Sequence, residues 1–145
     1  MGIDGKVVCI SGSSHGLGKS LATCFGRLGA KIALSLHNIE ELMQAEAELA
    51  EGISVTAIRA DVRSHDDCRA LISGTVDQFG QIDVTVCNAG IDIIEPAHSY
   101  EEPEWDEIVE PFCVATTIVP SLPPRQCWNG RSIIIITTKG QLLLD

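Results

Sequence analysis

The chain has 145 residues, 45% of them hydrophobic, with 20 acidic and 10 basic side chains and a formal net charge of −10. That length supports one domain, residues 1–145, with its own core, and the negative charge argues against nucleic acid and membrane surfaces as partners because it repels phosphate and anionic lipid. No window approaches the roughly 20 apolar residues that span a bilayer, and the opening residues lack the basic and apolar regions of a leader, so a cytoplasmic protein is expected.

In chain order, the apolar run at residues 6–10, between Gly5 and Gly12, predicts a strand buried on both faces of a parallel sheet. A glycine-rich turn follows. Leu17, Leu21, Ala22, Phe25 and Leu28 then recur at helical spacing until Gly29, which predicts a helix. A second strand is expected over residues 31–36. Asn38 then caps a helix running to about Glu51, with Glu41 able to reach back as in a capping box. The cycle repeats with a strand near 55–60, a helix capped by Ser64 with Asp66 and Asp67 at the positive end of its dipole, and a fourth strand at 82–87.

A further strand is expected at 132–137, where four isoleucines run together, since a strand buried on both sides need not alternate. Before it the pattern breaks: Pro111, Pro120, Pro123 and Pro124 fall where a long helix is expected, so the helix beginning near Glu104 should end or kink at about Glu110. Strands alternating with helices predict an α/β fold in which a doubly wound parallel sheet is covered on both faces. The six cysteines, at 9, 24, 68, 87, 113 and 127, form no Cys-x-x-Cys pair and no zinc pattern, so they are expected to act mostly as small core residues and no metal site is predicted.

The chemistry is concentrated at the ends of the strands. Gly12, Gly16 and Gly18 lie between a buried strand and a helix, the context in which such glycines cradle a pyrophosphate. Gly12 suits a tight turn, Gly16 close approach of phosphate to backbone N–H groups, and Gly18 close packing of helix on strand. With Ser11 they match the Thr-Gly-x3-Gly-x-Gly pattern of the short-chain dehydrogenase/reductase family, Ser replacing Thr. Asp61-Val62 after the third strand and Asn88-Ala89-Gly90 after the fourth match two more of its motifs, so residues 1–110 resemble this family closely. The resemblance implies a Rossmann-like, doubly wound parallel sheet, incomplete at its carboxyl-terminal end, and a reaction that moves hydride between a nicotinamide cofactor and an alcohol or carbonyl substrate.

It also implies that Gly12, Ser14, His15, Gly16, Leu17, Gly18, His37, Asp61, Val62, Asn88, Ala89 and Gly90 bind the dinucleotide, with Asp61 at the adenine. Position 36, where NAD-selective members carry an acid, is Leu, and His15 and His37 stand where NADP-binding members carry Arg or Lys. This tilts the choice to NADP, with NAD the alternative.

The family's catalytic residues are not matched. The sole tyrosine is Tyr100, with Glu104 four positions on, so no Tyr-x-x-x-Lys is present. Alignment on Trp105-Asp106 puts Phe112 at the family's Asn, and alignment on the isoleucine strand puts Thr138 at its Ser, leaving Thr138 as the single catalytic candidate. The sequence thus reads as truncated before the catalytic Tyr-Lys pair. Residues 111–129 read as a frame-shifted or decayed stretch, because family-like sequence returns at 130–138. Partners expected are the dinucleotide, a small-molecule substrate that cannot be named, and a second copy of the chain, since missing strands would expose an edge.

Two other classes match parts of the sequence. A non-catalytic nucleotide-binding protein needs neither Tyr nor Lys. A P-loop nucleotide hydrolase would use Gly18-Lys19-Ser20, but its first glycine would fall at Ser13.

Overall fold

A computed structural model describes residues 2–90 and 132–135. Chain order is β1 (Val7–Ser11), α1 (Gly16–Arg27), β2 (Lys31–Leu36), α2 (Ile39–Ala50), β3 (Val55–Arg59), α3 (His65–Phe79), β4 (Val84–Cys87) and β5 (Ser132–Ile135). All strand pairings are parallel, in the order β3-β2-β1-β4-β5. The chain therefore builds outward from β1 to β3 and then returns to lay β4 on the other side of β1. The carboxyl ends of β1 and β4 flank that reversal, where open α/β sheets leave a crevice for a ligand.

Every residue of β1 is buried because the strand is central and covered on both faces. Alternation sorts its side chains to two cores. Val8 and Ile10 join Ile32, Leu34, Leu42, Ala45, Leu49 and Val86 on the α1/α2 face. Cys9 joins Ala33, Leu71 and Ile82 on the α3 face. Burying side chains such as Ile10, Ile32, Leu34 and Leu42 contributes about 1.5–3 kcal/mol each.

Asn38 and Ser64 cap their helices as the sequence predicts, but Glu41 meets the Asn38 side-chain amide rather than its backbone N–H. The Asn38 side chain accepts from the N–H groups of Glu40 and Glu41 and donates to the Glu41 carboxylate. The Ser64 hydroxyl accepts from Asp67 N–H at 3.2 Å. The first strand starts one residue later than expected, because Val7 N–H is taken by the Asp83 carboxylate at 2.9 Å, and it extends to Ser11, which pairs with Ser35.

In α1 Leu17, and at its carboxyl-terminal cap Leu28, fit the helical spacing yet are 52% and 57% exposed. The buried face is made instead by Gly18, Ala22 and Gly26, spaced four apart, with Leu21 and Phe25 half-buried beside them. Small residues let the helix axis approach the sheet, and that closeness rotates the longer side chains out. The glycines are required there: a Cβ on Gly26 would lie 2.6 Å from Ile53 Cδ1.

Of the described cysteines, Cys9, Cys68 and Cys87 are buried and Cys24 is exposed. The proline-rich segment 111–129, Cys113, Cys127, the helix near Glu104 and the final residues of the fifth strand lie outside the described residues. Among the described residues no helix is long and apolar enough to cross a membrane.

Candidate functional site

The turn after β1 is held from three sides. Gly12 has φ +64°, a conformation that L side chains rarely adopt, and a Cβ there would lie 2.7 Å from Ala89 Cα. A Cβ on Gly18 would collide with the Gly12 carbonyl oxygen and lie 2.6 Å from Asn88 Nδ2. The two glycines thus let α1, the β1 turn and the β4 turn meet. Gly16, at φ +54°, has no atom within 4 Å of where its Cβ would be, so its exposed side is open to a ligand.

Asn88 braces this junction. Its Nδ2 donates to the carbonyls of Ser11 at 3.1 Å and Gly12 at 2.9 Å. In return the Ser11 hydroxyl accepts from the N–H groups of Asn88 and Ala89, both at 3.1 Å, and donates to the Val86 carbonyl. A serine replaces threonine here without loss because the hydroxyl does this work. Ser13 ties the turn to β2: its N–H donates to the Ser35 carbonyl and its hydroxyl accepts from Ser35 N–H at 2.8 Å. Sequence reasoning missed Ser13 and Ser35, although a serine within the apolar Lys31–Leu36 run was the available signal.

The amino terminus of α1 differs from those of the other helices. No side chain caps it and its first turn carries no acid, whereas α2 is capped by Asn38 with Glu40 and Glu41, and α3 by Ser64 with Asp66 and Asp67. An uncapped positive helix end beside an open glycine turn can take an anion on its free N–H groups. Leu17 is exposed beside it.

Two rims flank the turn. His15 is exposed, its Nδ1 2.7 Å from the Ser14 hydroxyl and 3.9 Å from the Glu41 carboxylate. His37, also exposed, follows β2. The Asp61 carboxylate is gripped by Arg63 through Nε at 3.0 Å and Nη2 at 2.7 Å. The bonds from Arg63 pull its carboxyl down to about 2. Val62 is half-buried against Cys68, and Ala89 and Gly90 close the β4 side.

Thr138 lies outside the described residues. Burial pushes the thiols of Cys9 up to about 12 and Cys68 to about 11, which leaves both as neutral core groups rather than nucleophiles.

The P-loop alternative does not survive this geometry. Lys19 is paired with Glu48 of α2 rather than reaching over the turn, and the Ser20 hydroxyl donates to the Gly16 carbonyl at 2.9 Å.

Comparison with known proteins bears on the same elements. The short chain dehydrogenase family profile matches residues 6–137. A short chain dehydrogenase/reductase of Cryptosporiopsis sp. (strain 8999) is 31% identical over 140 residues, covering 94% of this chain and 52% of that protein. This chain belongs to the short-chain dehydrogenase/reductase family. Within the family, a 3-oxoacyl-[acyl-carrier-protein] reductase of Staphylococcus aureus is 34% identical over 107 residues, which are 72% of this chain and 44% of that one. Among solved family structures, the 3-ketoacyl-(acyl-carrier-protein) reductase of Brucella melitensis complexed with NADH superposes with a TM-score of 0.82 at 25% identity, covering 94% of this chain and 58% of that one. A short-chain type dehydrogenase/reductase of Mycobacterium marinum gives 0.84 at 27%, covering 92% and 56%. The chain spans about half the length of the relatives it matches.

Proposed function

We propose that this short-chain dehydrogenase/reductase chain binds a nicotinamide dinucleotide at the carboxyl ends of β1 and β4. The pyrophosphate lies over Gly12, Ser14, Gly16, Leu17 and Gly18, the adenosine runs toward His15, His37, Asp61 and Val62, and the nicotinamide side reaches Asn88, Ala89 and Gly90. The observation that carries this reading is the end of α1, which has neither cap nor acid and sits beside a positive-φ glycine turn with open space at Gly16. In the bound complex the residues position rather than react: N–H groups neutralise the phosphates, and the Ser11–Asn88 bonds keep the turn from spreading.

His15 and His37 form the rim for a 2′-phosphate, which favours NADPH, while Glu41 beside His15 opposes it. Titration of NADPH and NADH with melting temperature as readout tests the reading, because a ligand that binds only the folded state adds about 2.7 kcal/mol at a hundredfold its Kd. Both should raise the melting temperature, NADPH at lower concentration, and Glu41→Gln should widen that gap. No shift with either overturns the site.

The family's reaction is hydride transfer to or from a carbonyl or alcohol carbon, the dinucleotide supplying the redox chemistry. These 145 residues hold no Tyr-x-x-x-Lys, which favours binding without turnover over catalysis by this stretch alone. NADPH should therefore bind without being oxidised by ketone substrates above the protein-free rate. A cytoplasmic setting fits the thiols of Cys9, Cys24 and Cys68, none of them in a disulfide.

A further inference from the structure

The adenine end of the site is shaped by a residue that does not itself line it. Asp67, in the first turn of α3, spreads its two carboxylate oxygens over the whole β3–α3 loop. Oδ2 accepts from the backbone N–H of Asp61 at 3.0 Å and from Arg59 Nη1 at 3.3 Å. Oδ1 accepts from the Ser64 hydroxyl at 3.4 Å, while that hydroxyl accepts from Asp67 N–H. The Asp61 carbonyl in turn accepts from Ser64 N–H at 3.0 Å, and Cys68, the next residue, packs on Val62 and donates its S–H to the Val62 carbonyl. One carboxylate thus fixes where β3 ends, where α3 begins, and how Asp61 and Val62 sit between them.

An Asp at this helix position needs no such reach. A helix dipole and a cap are served by the Ser64 bond and by Asp66 alone. The bond to Asp61 N–H is extra: it runs back across six residues to the position that faces the nucleotide, at a half-buried side chain where a charge-assisted bond holds its geometry.

We propose that Asp67 is a positioning residue for nucleotide affinity: by holding Asp61 N–H it fixes the Asp61–Val62 edge against which the adenosine half of the dinucleotide packs. This rests on the nucleotide site proposed above. It assigns to Asp67 no contact with the ligand.

The test is NADH affinity, by fluorescence titration, for the 145-residue chain and three variants. Asp67→Leu removes every bond and should weaken NADH about tenfold, the scale of one charge-assisted hydrogen bond. Asp67→Asn keeps an oxygen for Asp61 N–H but not the ion pair with Arg59, and should lose only about threefold. Leu71→Ala, a buried position on the same helix, should lower the melting temperature and leave NADH affinity unchanged. Wild-type affinity in Asp67→Leu, or an equal loss in Leu71→Ala, overturns the proposal. If Asp67→Leu does not fold, Asp67→Asn decides, and no loss there overturns it. A wild-type chain that binds no NADH overturns the nucleotide reading itself, and this inference with it.

Discussion

Single atoms decide the turn after β1. The Ser11 hydroxyl accepts two N–H groups from the β4 turn and donates to a β4 carbonyl, so it uses its full bonding capacity in a buried place. Ser11→Ala would orphan both of these partly buried N–H groups and should destabilise the chain by roughly 1–3 kcal/mol in urea unfolding, whereas Ser11→Thr should be nearly neutral. Equal losses in the two variants would show that size, not the hydroxyl, matters at this position. Asn88 is a residue of the same kind. Its Nδ2 donates to the Ser11 and Gly12 carbonyls and so braces the turn.

At the scale of elements, the β3 side of the sheet is finished by a side chain from a neighbouring helix. On β3 the N–H of Ala57 points away from β2, and the Glu46 carboxylate of α2 accepts from it at 2.9 Å. A bonded carboxylate on an edge strand blocks the pairing of a further strand. Glu46→Ala should uncover that N–H, cost about 1 kcal/mol of stability, and increase self-association measured by light scattering. An unchanged, monodisperse protein would refute the guarding role. The α1 helix gives the complementary lesson: its inner face of Gly18, Ala22 and Gly26 sets how near the helix end comes to the turn, and so how directly its dipole acts there.

At the scale of the whole molecule, the partly buried carboxylates of Asp61 and Asp83 link stability to pH. Arg63 lowers Asp61 to about 2. Burial alone would raise Asp83, but the bonds from Val7 N–H, Lys6 and Gln81 outweigh it and leave it lowered. Both groups bind protons more weakly folded than unfolded, where a carboxyl titrates near 3.9. Their contribution is therefore fully present above about pH 4 and is lost as pH falls toward about 2. Chemical denaturation between pH 5 and 2 should show stability falling steeply across that window, and Arg63→Ala should flatten the fall. A slope unaffected by that substitution would mean that other groups carry it.

Much of this was legible in the sequence because it depends on near neighbours. Strands β2 and β3, the Asn38 and Ser64 caps and the glycine turn follow from spacings of two to four residues, within which a side chain reaches its own backbone. The family motifs were legible for the same reason, each being a short run at a strand end. What the sequence could not give was everything joined across the sheet. Asn88 meets Ser11 over 77 positions, Ser13 meets Ser35 over 22, and Lys19 meets Glu48 over 29. Leu17 and Leu28 share the helical spacing of the apolar residues and still face solvent. Only the packed sheet shows that small residues hold that face, because how closely a helix can approach is set by the side chains opposite it.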